Sequence, residues 1–175
     1  MKKVIAASAV AFALATTVTA TEIQVGLGYT ISDGLNSSAL NQPANIRVPI
    51  NFDFGLRVEP ELGFGASTTD FGGVKTDRSQ TTLAVGGYYN LWAVEKVNFY
   101  AGGRMALNSF SVDTTVGGVT TTFDGTNTSL QGLFGAEYMF AENFSFGAQA
   151  GLEFIAGDDP TGFGTVSHLL VHYFF

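Results

Sequence analysis

Arg104, Glu137 and Glu153 are the residues with the clearest potential for chemistry, because each is an isolated charge in an apolar, glycine-rich stretch. If these stretches enclose a narrow interior, Arg104 should lie close enough to pair with Glu137, and Glu153 should join them. The pair has two interpretations. It is a gate that switches partners to admit ions, or it is a filler whose opposite charges satisfy one another, since unpaired buried charge is costly.

His168 and His172 introduce a second kind of chemistry, the acid–base relay of a lipid-modifying enzyme. Such a relay needs a nucleophile, a histidine and an acid within hydrogen-bond reach. Strand alternation places both histidines on one face and Ser167 on the other. We therefore expect two polar side chains that fill an interior, no catalytic residues and no enzymatic activity. The chain also lacks a phosphate-binding loop, a dinucleotide fingerprint and a His/Cys cluster, so no cofactor or metal is expected.

A period-two alternation of apolar and polar residues predicts the elements that position these side chains. The predicted strands lie at about 22–32, 46–56, 61–67, 79–91, 97–108, 128–140, 144–154 and 166–175. Short turns, including one through Val58-Glu59-Pro60, alternate with longer polar loops near 33–45, 68–78, 109–127 and 156–163. The stretch Thr114 to Thr126 has a second interpretation, as a hairpin that extends two strands and exposes an edge.

The two faces of these strands differ in character. One face is aliphatic or aromatic, whereas the other carries most glycines together with the charges Glu22, Arg47, Asp53, Glu61, Arg104, Glu137 and Glu153. A basic residue in lipid costs about 2–4 kcal/mol near the midplane, so the charged face should line the interior. A soluble, lipocalin-like barrel with an apolar interior is the alternative. The pattern favours an all-β, eight-stranded antiparallel up-and-down transmembrane β-barrel. Closure should place His172 beside Gln24 and His168 beside Gly28.

The N-terminus and the composition fit export. Lys2 and Lys3 precede a short apolar run, and Val18-Thr19-Ala20 suits cleavage, so residues 1–20 are predicted as a signal peptide and 21–175 as the barrel domain. The chain contains no Cys. Loss of Lys2 and Lys3 leaves 6 basic residues against 15 acidic ones, a net charge of −9. A chain of this charge should repel nucleic acid.

The signal peptide, the eight alternating strands, the Gly135 to Tyr138 stretch before a short turn and the terminal Phe175 resemble the small Gram-negative outer-membrane β-barrel family, the OmpA/OmpX-type transmembrane domain. This resemblance implies location in the cell outer membrane. It also implies help from periplasmic chaperones and assembly by the barrel-insertion machinery through a C-terminal aromatic signal, matched here by Phe175 and Tyr173.

The expected function is that of a non-enzymatic integral outer-membrane protein with an envelope-structural and surface-presentation role. A narrow channel for ions or small solutes is the alternative, and a lipid-modifying enzyme is a third hypothesis. The expected partners are outer-membrane lipids and lipopolysaccharide, and the expected state is a monomer. The stretch Asp158 to Gly162 contains oxygen ligands for a cation, but its spacing differs from a calcium loop and is explained by turn formation.

Overall fold

The computed structural model describes residues 23–33, 44–158 and 161–175, and these form a single closed antiparallel sheet. The predicted signal peptide lies outside the described residues, and so does Glu22, which was assigned to the charged face. No helix within these ranges is long and apolar enough to cross a membrane. The strands are β1 (Ile23–Asp33), β2 (Ala44–Arg47), β3 (Ile50–Phe52), β4 (Leu56–Phe71), β5 (Val74–Val94), β6 (Val97–Val116), β7 (Val119–Ala141), β8 (Phe144–Gly157) and β9 (Gly162–Phe174).

The ring has eight positions, because β2 and β3 both pair with β1 and β4 and so share one position. The break between β2 and β3 falls at Val48 and Pro49. Every other neighbour in the ring is a sequential antiparallel pair, and β9 closes the barrel by pairing with β1. The predicted eight-stranded up-and-down barrel is confirmed.

The expected register of the closing seam is wrong. His172 lies opposite Gly28 and not Gln24, and His168 lies opposite Asp33 after an irregularity between Thr30 and Ser32. The expected register would hold only if β1 and β9 were level at the end of the barrel that carries the short turns. Strands in a barrel are tilted, and closure requires a stagger between the first and last strands. This stagger shifts β9 by about four residues along β1.

The expected turn at Val58-Glu59-Pro60 is also wrong. The turn lies at 53–55, where Gly55 has a φ of 86°, and β4 begins at Leu56. Pro60 is tolerated inside β4 because it lies beside the break between β2 and β3, and its carbonyl accepts a hydrogen bond from Val48 N at 2.9 Å. Asp53 is therefore an exposed turn residue and does not line the interior of the barrel as expected.

The apolar face of the strands lies on the outside of the barrel. Large apolar side chains are exposed there, among them Leu83 on β5, Leu107 on β6 and Leu130 on β7. Charged and amide side chains are buried inside. Aromatic rings gather on the outside near the short turns, with Trp92 stacked on Phe99 at 5.0 Å between ring centroids. An apolar exterior around a polar interior is the pattern of a barrel surrounded by lipid.

Two segments predicted as long polar loops, 68–78 and 109–127, are mostly strand instead. β4 and β5 remain paired up to Phe71 and Val74, and β6 and β7 up to Val116 and Val119. Each hairpin ends in a two-glycine turn, Gly72-Gly73 and Gly117-Gly118, whose φ angles lie between 59° and 84°. Alternating Thr, Ser and Val residues favour strands over loops here. The hairpin predicted as the alternative for Thr114 to Thr126 is therefore observed.

Candidate functional site

Arg57 is the centre of a charged network that fills the lumen. Its Nη1 donates to Glu137 Oε2 at 2.6 Å, and its Nε lies 3.0 Å from Glu59 Oε1. The guanidinium lies over the Tyr100 ring, 4.3 Å from the centroid, with the Tyr88 ring at 5.5 Å. Arg57, Tyr88 and Tyr100 are at most 2% exposed. The Arg57 cation therefore lies between two carboxylates and two aromatic rings inside the barrel.

Two further arginines extend the network along the barrel. Arg104 forms a bidentate pair with Glu61, Nε to Oε2 at 2.9 Å and Nη2 to Oε1 at 2.7 Å. Arg47 bridges two carboxylates, Glu59 Oε2 at 3.2 Å and Glu61 Oε2 at 3.3 Å. Three arginines thus alternate with three glutamates. Mutual pairing is what makes so many buried charges tolerable.

A polar branch without strong charge pairing lies above this network. Glu153 accepts a hydrogen bond from Gln131 Nε2 at 2.7 Å, and Gln131 Oε1 lies 3.3 Å from His168 Nε2. Gln149 Oε1 in turn accepts a hydrogen bond from Arg47 at 3.4 Å. His168 is 1% exposed, whereas Glu153 is only partly buried. Glu153 therefore pairs with the Gln131 amide, whereas Arg104 pairs with Glu61.

The expected pair of Arg104 with Glu137 does not form. The structure brings Arg104 to Glu61 and Glu137 to Arg57. The sequence interpretation missed Arg57 and Glu59 because it placed Glu59 in a turn and ended the preceding strand before Arg57. The missed signal is the uninterrupted alternation from Leu56 to Leu62, in which Arg57, Glu59 and Glu61 occupy every second position.

Glycines make room for the large side chains of the lumen. A Cβ at residue 135 would lie 2.5–2.7 Å from the Tyr100 ring. At Gly28 a Cβ would collide with the His172 ring directly across the seam. The interior is therefore closely packed at these two rings, because each ring lies against a glycine that has no side chain.

His172, Ser145 and Glu137 have the composition of a catalytic triad but not its geometry. His172 Nδ1 lies 2.7 Å from Glu137 Oε1, and the Ser145 hydroxyl donates to the same oxygen. A serine nucleophile would have to donate to the histidine. Ser145 and His172 are fully buried in the lumen. Among the residues that the structure describes, no group of three or more His, Cys, Asp or Glu could hold a metal ion.

A second candidate site lies above the barrel, where β4 to β7 continue as a four-stranded sheet, here called the protruding sheet. On the outside of the barrel the apolar belt ends at Leu83 and Leu107, and Thr81 and Ser109 follow. About eight residues of each strand continue beyond this level, which is at most about 26 Å at ~3.3 Å per residue. The polar exterior of this part indicates that it stands outside the lipid.

The outward face of the protruding sheet is polar and acidic. Asp77 and Asp113 lie directly opposite each other on β5 and β6. Thr68 donates to Asp77 at 2.6 Å and Thr122 donates to Asp113 at 2.6 Å. Like charges at opposed positions destabilise a sheet, and the two threonines offset this cost.

Lys75 further stabilises the outward face. Its Nζ lies 2.7 Å from Asp77 Oδ2. The hydrogen bond from Lys75, with a smaller contribution from Thr68, lowers the pKa of the Asp77 carboxyl below its ordinary value. The same hydrogen bond raises the pKa of Lys75. Both groups are exposed, so we expect salt to weaken their interaction.

The opposite face looks across the barrel opening and is here called the mouth face. Its rows, read from β4 to β7, are Phe71-Val74-Val116-Val119, Thr69-Thr76-Thr114-Thr121, Ser67-Arg78-Val112-Phe123 and Gly65-Gln80-Phe110-Gly125. The mouth face has no carboxylate, and its one charge is Arg78.

Tyr173 and Phe175, the residues matched to an assembly signal, lie on the outside of the barrel. They are 45% and 80% exposed, and their rings meet edge to face at 5.5 Å. The Tyr173 hydroxyl accepts a hydrogen bond from Asn143 Nδ2 at 2.9 Å. Phe175 N donates to Val25 O, which attaches the chain end to β1.

Solved structures with this architecture come from several bacteria. Ail, the attachment invasion locus protein of Yersinia pestis, is 16% identical and superposes with a TM-score of 0.56 over 87% of this chain and 95% of its own. A major outer membrane protein from Thermus thermophilus is 15% identical, with a TM-score of 0.61 over 90% of this chain and all (100%) of its own. Neisserial surface protein A is 17% identical, with a TM-score of 0.53, covering 87% of this chain and 96% of its own.

At these identities the structural matches establish the fold alone. No curated protein sequence matches the chain significantly. The model of the outer membrane protein beta-barrel domain, however, matches residues 4–167, almost the whole sequence. Together with the apolar exterior and the polar interior, this match places the protein in the outer membrane. The chain belongs to the outer membrane protein β-barrel domain family.

Proposed function

We propose that this protein is a non-enzymatic structural component of the outer membrane that presents the protruding sheet at the cell surface. The observation that carries the proposal is the contrast between the lumen and the protruding sheet. The lumen is filled by paired, buried charges, whereas β4 to β7 continue above the lipid as a regular sheet that the closure of the barrel does not require.

The filled lumen supports a structural role over transport. Arg47, Arg57, Tyr88 and Tyr100 are each at most 2% exposed, and together they occupy the middle of a narrow barrel. Moving Arg57 aside would leave Glu59 and Glu137 without their shared cation. An open state therefore has to break buried ion pairs, which is energetically costly.

A narrow channel is the second candidate, and one observation favours it. Arg47 Nη2, Arg57 Nη2 and the Tyr88 hydroxyl are buried and have no hydrogen-bond partner among the described residues. Buried polar atoms of this kind commonly bind internal water. Water held between these atoms would be the start of a conduction path.

Planar-bilayer recording separates the two candidates. Purified, refolded protein should show no steps above the background of an empty bilayer, and an Arg57→Ser variant should conduct if the arginine is what closes the lumen. Single-channel steps from the unmodified protein that Arg57→Ser enlarges would overturn the closed-barrel proposal in favour of the channel.

Surface presentation is tested by labelling, which the absence of Cys makes straightforward. A Thr122→Cys variant on the protruding sheet should react with a membrane-impermeant maleimide on intact cells. The matched control is Asn143→Cys in a short turn, which should react only after the outer membrane is opened. If Asn143→Cys reacts on intact cells and Thr122→Cys does not, the barrel has the opposite orientation in the membrane and the proposal is refuted.

The expected partners follow from this placement. Lipids and lipopolysaccharide surround the belt, periplasmic chaperones and the insertion machinery act during assembly, and the barrel functions as a monomer. An Ail structure was solved with the heparin analogue sucrose octasulfate. For this chain we propose no sulfated polysaccharide ligand, because the protruding sheet has only Lys75 and Arg78 against Asp70, Asp77, Asp113 and Asp124.

A further inference from the structure

The protruding sheet is amphipathic, although it stands above the lipid. All its carboxylates, Asp70, Asp77, Asp113 and Asp124, are on the outward face, and the mouth face carries only Arg78. Alternation of this kind normally means that one face of a sheet packs against something. Among the described residues, nothing packs on the mouth face.

The exposed apolar area of the mouth face is large. Phe71 is 85% exposed, Val119 is 70% exposed, Val116 is 54% exposed and Phe123 is 53% exposed. Contiguous apolar surface on a soluble part of a protein marks an interaction site. Phe71, Val116 and Val119 lie in one row across the tip of the sheet, and Phe123 lies beside Val112 in a second row, below a row of threonines.

A hollow of about 360 Å³ lies in this face, with Phe110, Val112, Phe123, Arg78 and Gln80 among its lining residues. Its size is at the lower end of the range for small-molecule sites, about 300–1,000 Å³. The Phe110 and Phe123 rings are 5.9 Å apart between centroids. A Cβ at Gly125 would collide with the Phe110 ring, so the glycine allows this ring to lie across the sheet as the floor of the hollow.

Arg78 determines the charge of the occupant. It is exposed beside the hollow and has no ion pair among the described residues, unlike Lys75, which is paired with Asp77 on the other face. A guanidinium presents parallel N–H donors that match a carboxylate. One cation suits one negative charge, and the acidic outward face opposes an extended polyanion.

We propose that the mouth face binds a small amphiphilic carboxylate, with its apolar body on Phe110 and Phe123 and its carboxylate on Arg78. This site deepens the surface role proposed above and depends on it, because the hollow is accessible only if the protruding sheet stands outside the lipid. The interaction has the usual form of a small-molecule site, an apolar surface with one polar anchor that fixes orientation.

The test uses isotope-labelled full barrel in phosphatidylcholine nanodiscs, titrated with octanoate while backbone amide resonances are followed. Octanoate should shift the resonances of Arg78, Phe110 and Phe123. Octanol and octyltrimethylammonium have similar chains without the negative charge and should bind more weakly, as should acetate, which lacks the apolar body. Arg78→Gln should weaken octanoate binding about fivefold, the upper end for an exposed ion pair.

Matched variants keep the result interpretable. Lys75→Gln removes a cation from the outward face and should leave octanoate binding unchanged. Phe123→Thr keeps a strand-forming residue and should weaken octanoate and octanol alike. The proposal fails if Arg78→Gln binds octanoate as tightly as the unmodified protein, if octyltrimethylammonium binds as well as octanoate, or if only belt residues such as Leu83 shift. Failure here with successful labelling of Thr122→Cys would remove the site and leave surface presentation standing.

Discussion

Replacing Arg57 by Met should destabilise the barrel more than any change at its surface. Arg57 lies 3.0 Å from one Glu59 oxygen and 2.6 Å from one Glu137 oxygen, and all three side chains are at most 5% exposed. Met fills part of the volume but carries no charge, so the carboxylates lose their shared cation. Removing one partner of a buried ion pair costs about 3–5 kcal/mol.

The structure also indicates which carboxylate bears this cost. Glu59 keeps Arg47, whose Nη1 lies 3.2 Å away. Glu137 keeps only the hydroxyl of Ser145 and the imidazole of His172. The unpaired buried charge in Arg57→Met is therefore mainly that of Glu137. The double variant Arg57→Met, Glu137→Gln removes this charge and should be more stable than Arg57→Met alone.

Urea unfolding in phosphatidylcholine vesicles measures both effects. Trp92 is the single tryptophan and is on the lipid side, stacked on Phe99, so its fluorescence reports loss of the inserted barrel. Linear extrapolation gives the free energy of unfolding. Glu142→Ala in an exposed turn is the control and should stay within about 0.5 kcal/mol. An Arg57→Met loss below about 1 kcal/mol, or a double variant whose loss equals the sum of the two single losses, would refute a coupled buried network.

Three further predictions follow from other parts of the molecule. Gly135→Ala should lower the free energy of unfolding by about 1–3 kcal/mol in the same urea assay, because its Cβ overlaps the Tyr100 ring. Gly132→Ala, where a Cβ has nothing within 4 Å, should be nearly neutral, and equal losses at both positions would contradict the fitted lumen. Lys75→Gln should raise the pKa of Asp77 toward its ordinary value in a carboxyl NMR titration. An unchanged Asp77 pKa would exclude the Lys75 hydrogen bond as the cause of its lowering. The stabilisation from the pair is present above the ordinary pKa of an aspartate and is lost as pH falls through the lowered pKa of Asp77. Phe175→Ala should reduce the amount of barrel in the outer membrane, measured by immunoblotting of membrane fractions, while the purified chain still refolds in detergent; normal amounts in cells would remove the assembly role.

Local pattern was sufficient for most of the architecture. Alternation identified the strands, and the charges of Arg104, Glu137 and Glu61 were assigned to the interior because lipid excludes them. Alternation also extended through Arg57 and Glu59, but Pro60 made that stretch resemble a turn. Proline in a strand is disfavoured locally, and only the neighbouring break at Val48 and Pro49 makes it acceptable.

The sequence did not predict which arginine pairs with which glutamate inside the lumen. Arg104 meets Glu61, which is 43 residues away in the chain, and Arg57 meets Glu137 across 80 residues. Such contacts depend on barrel tilt and stagger, which a strand pattern does not specify. The same stagger explains why His172 faces Gly28 and not Gln24.

By itself, the sequence determined the class of the protein. Period-two alternation over eight segments, with charges and glycines on one face, requires a closed barrel with an apolar exterior, because hydrocarbon tolerates neither exposed charge nor an unpaired strand edge. The tertiary structure alone decided which charges pair, that Arg57 lies between Glu59 and Glu137 inside the lumen, and that the protruding sheet has a mouth face with one cation. These features arise from residues that are distant in sequence and become neighbours only when closure sets the register.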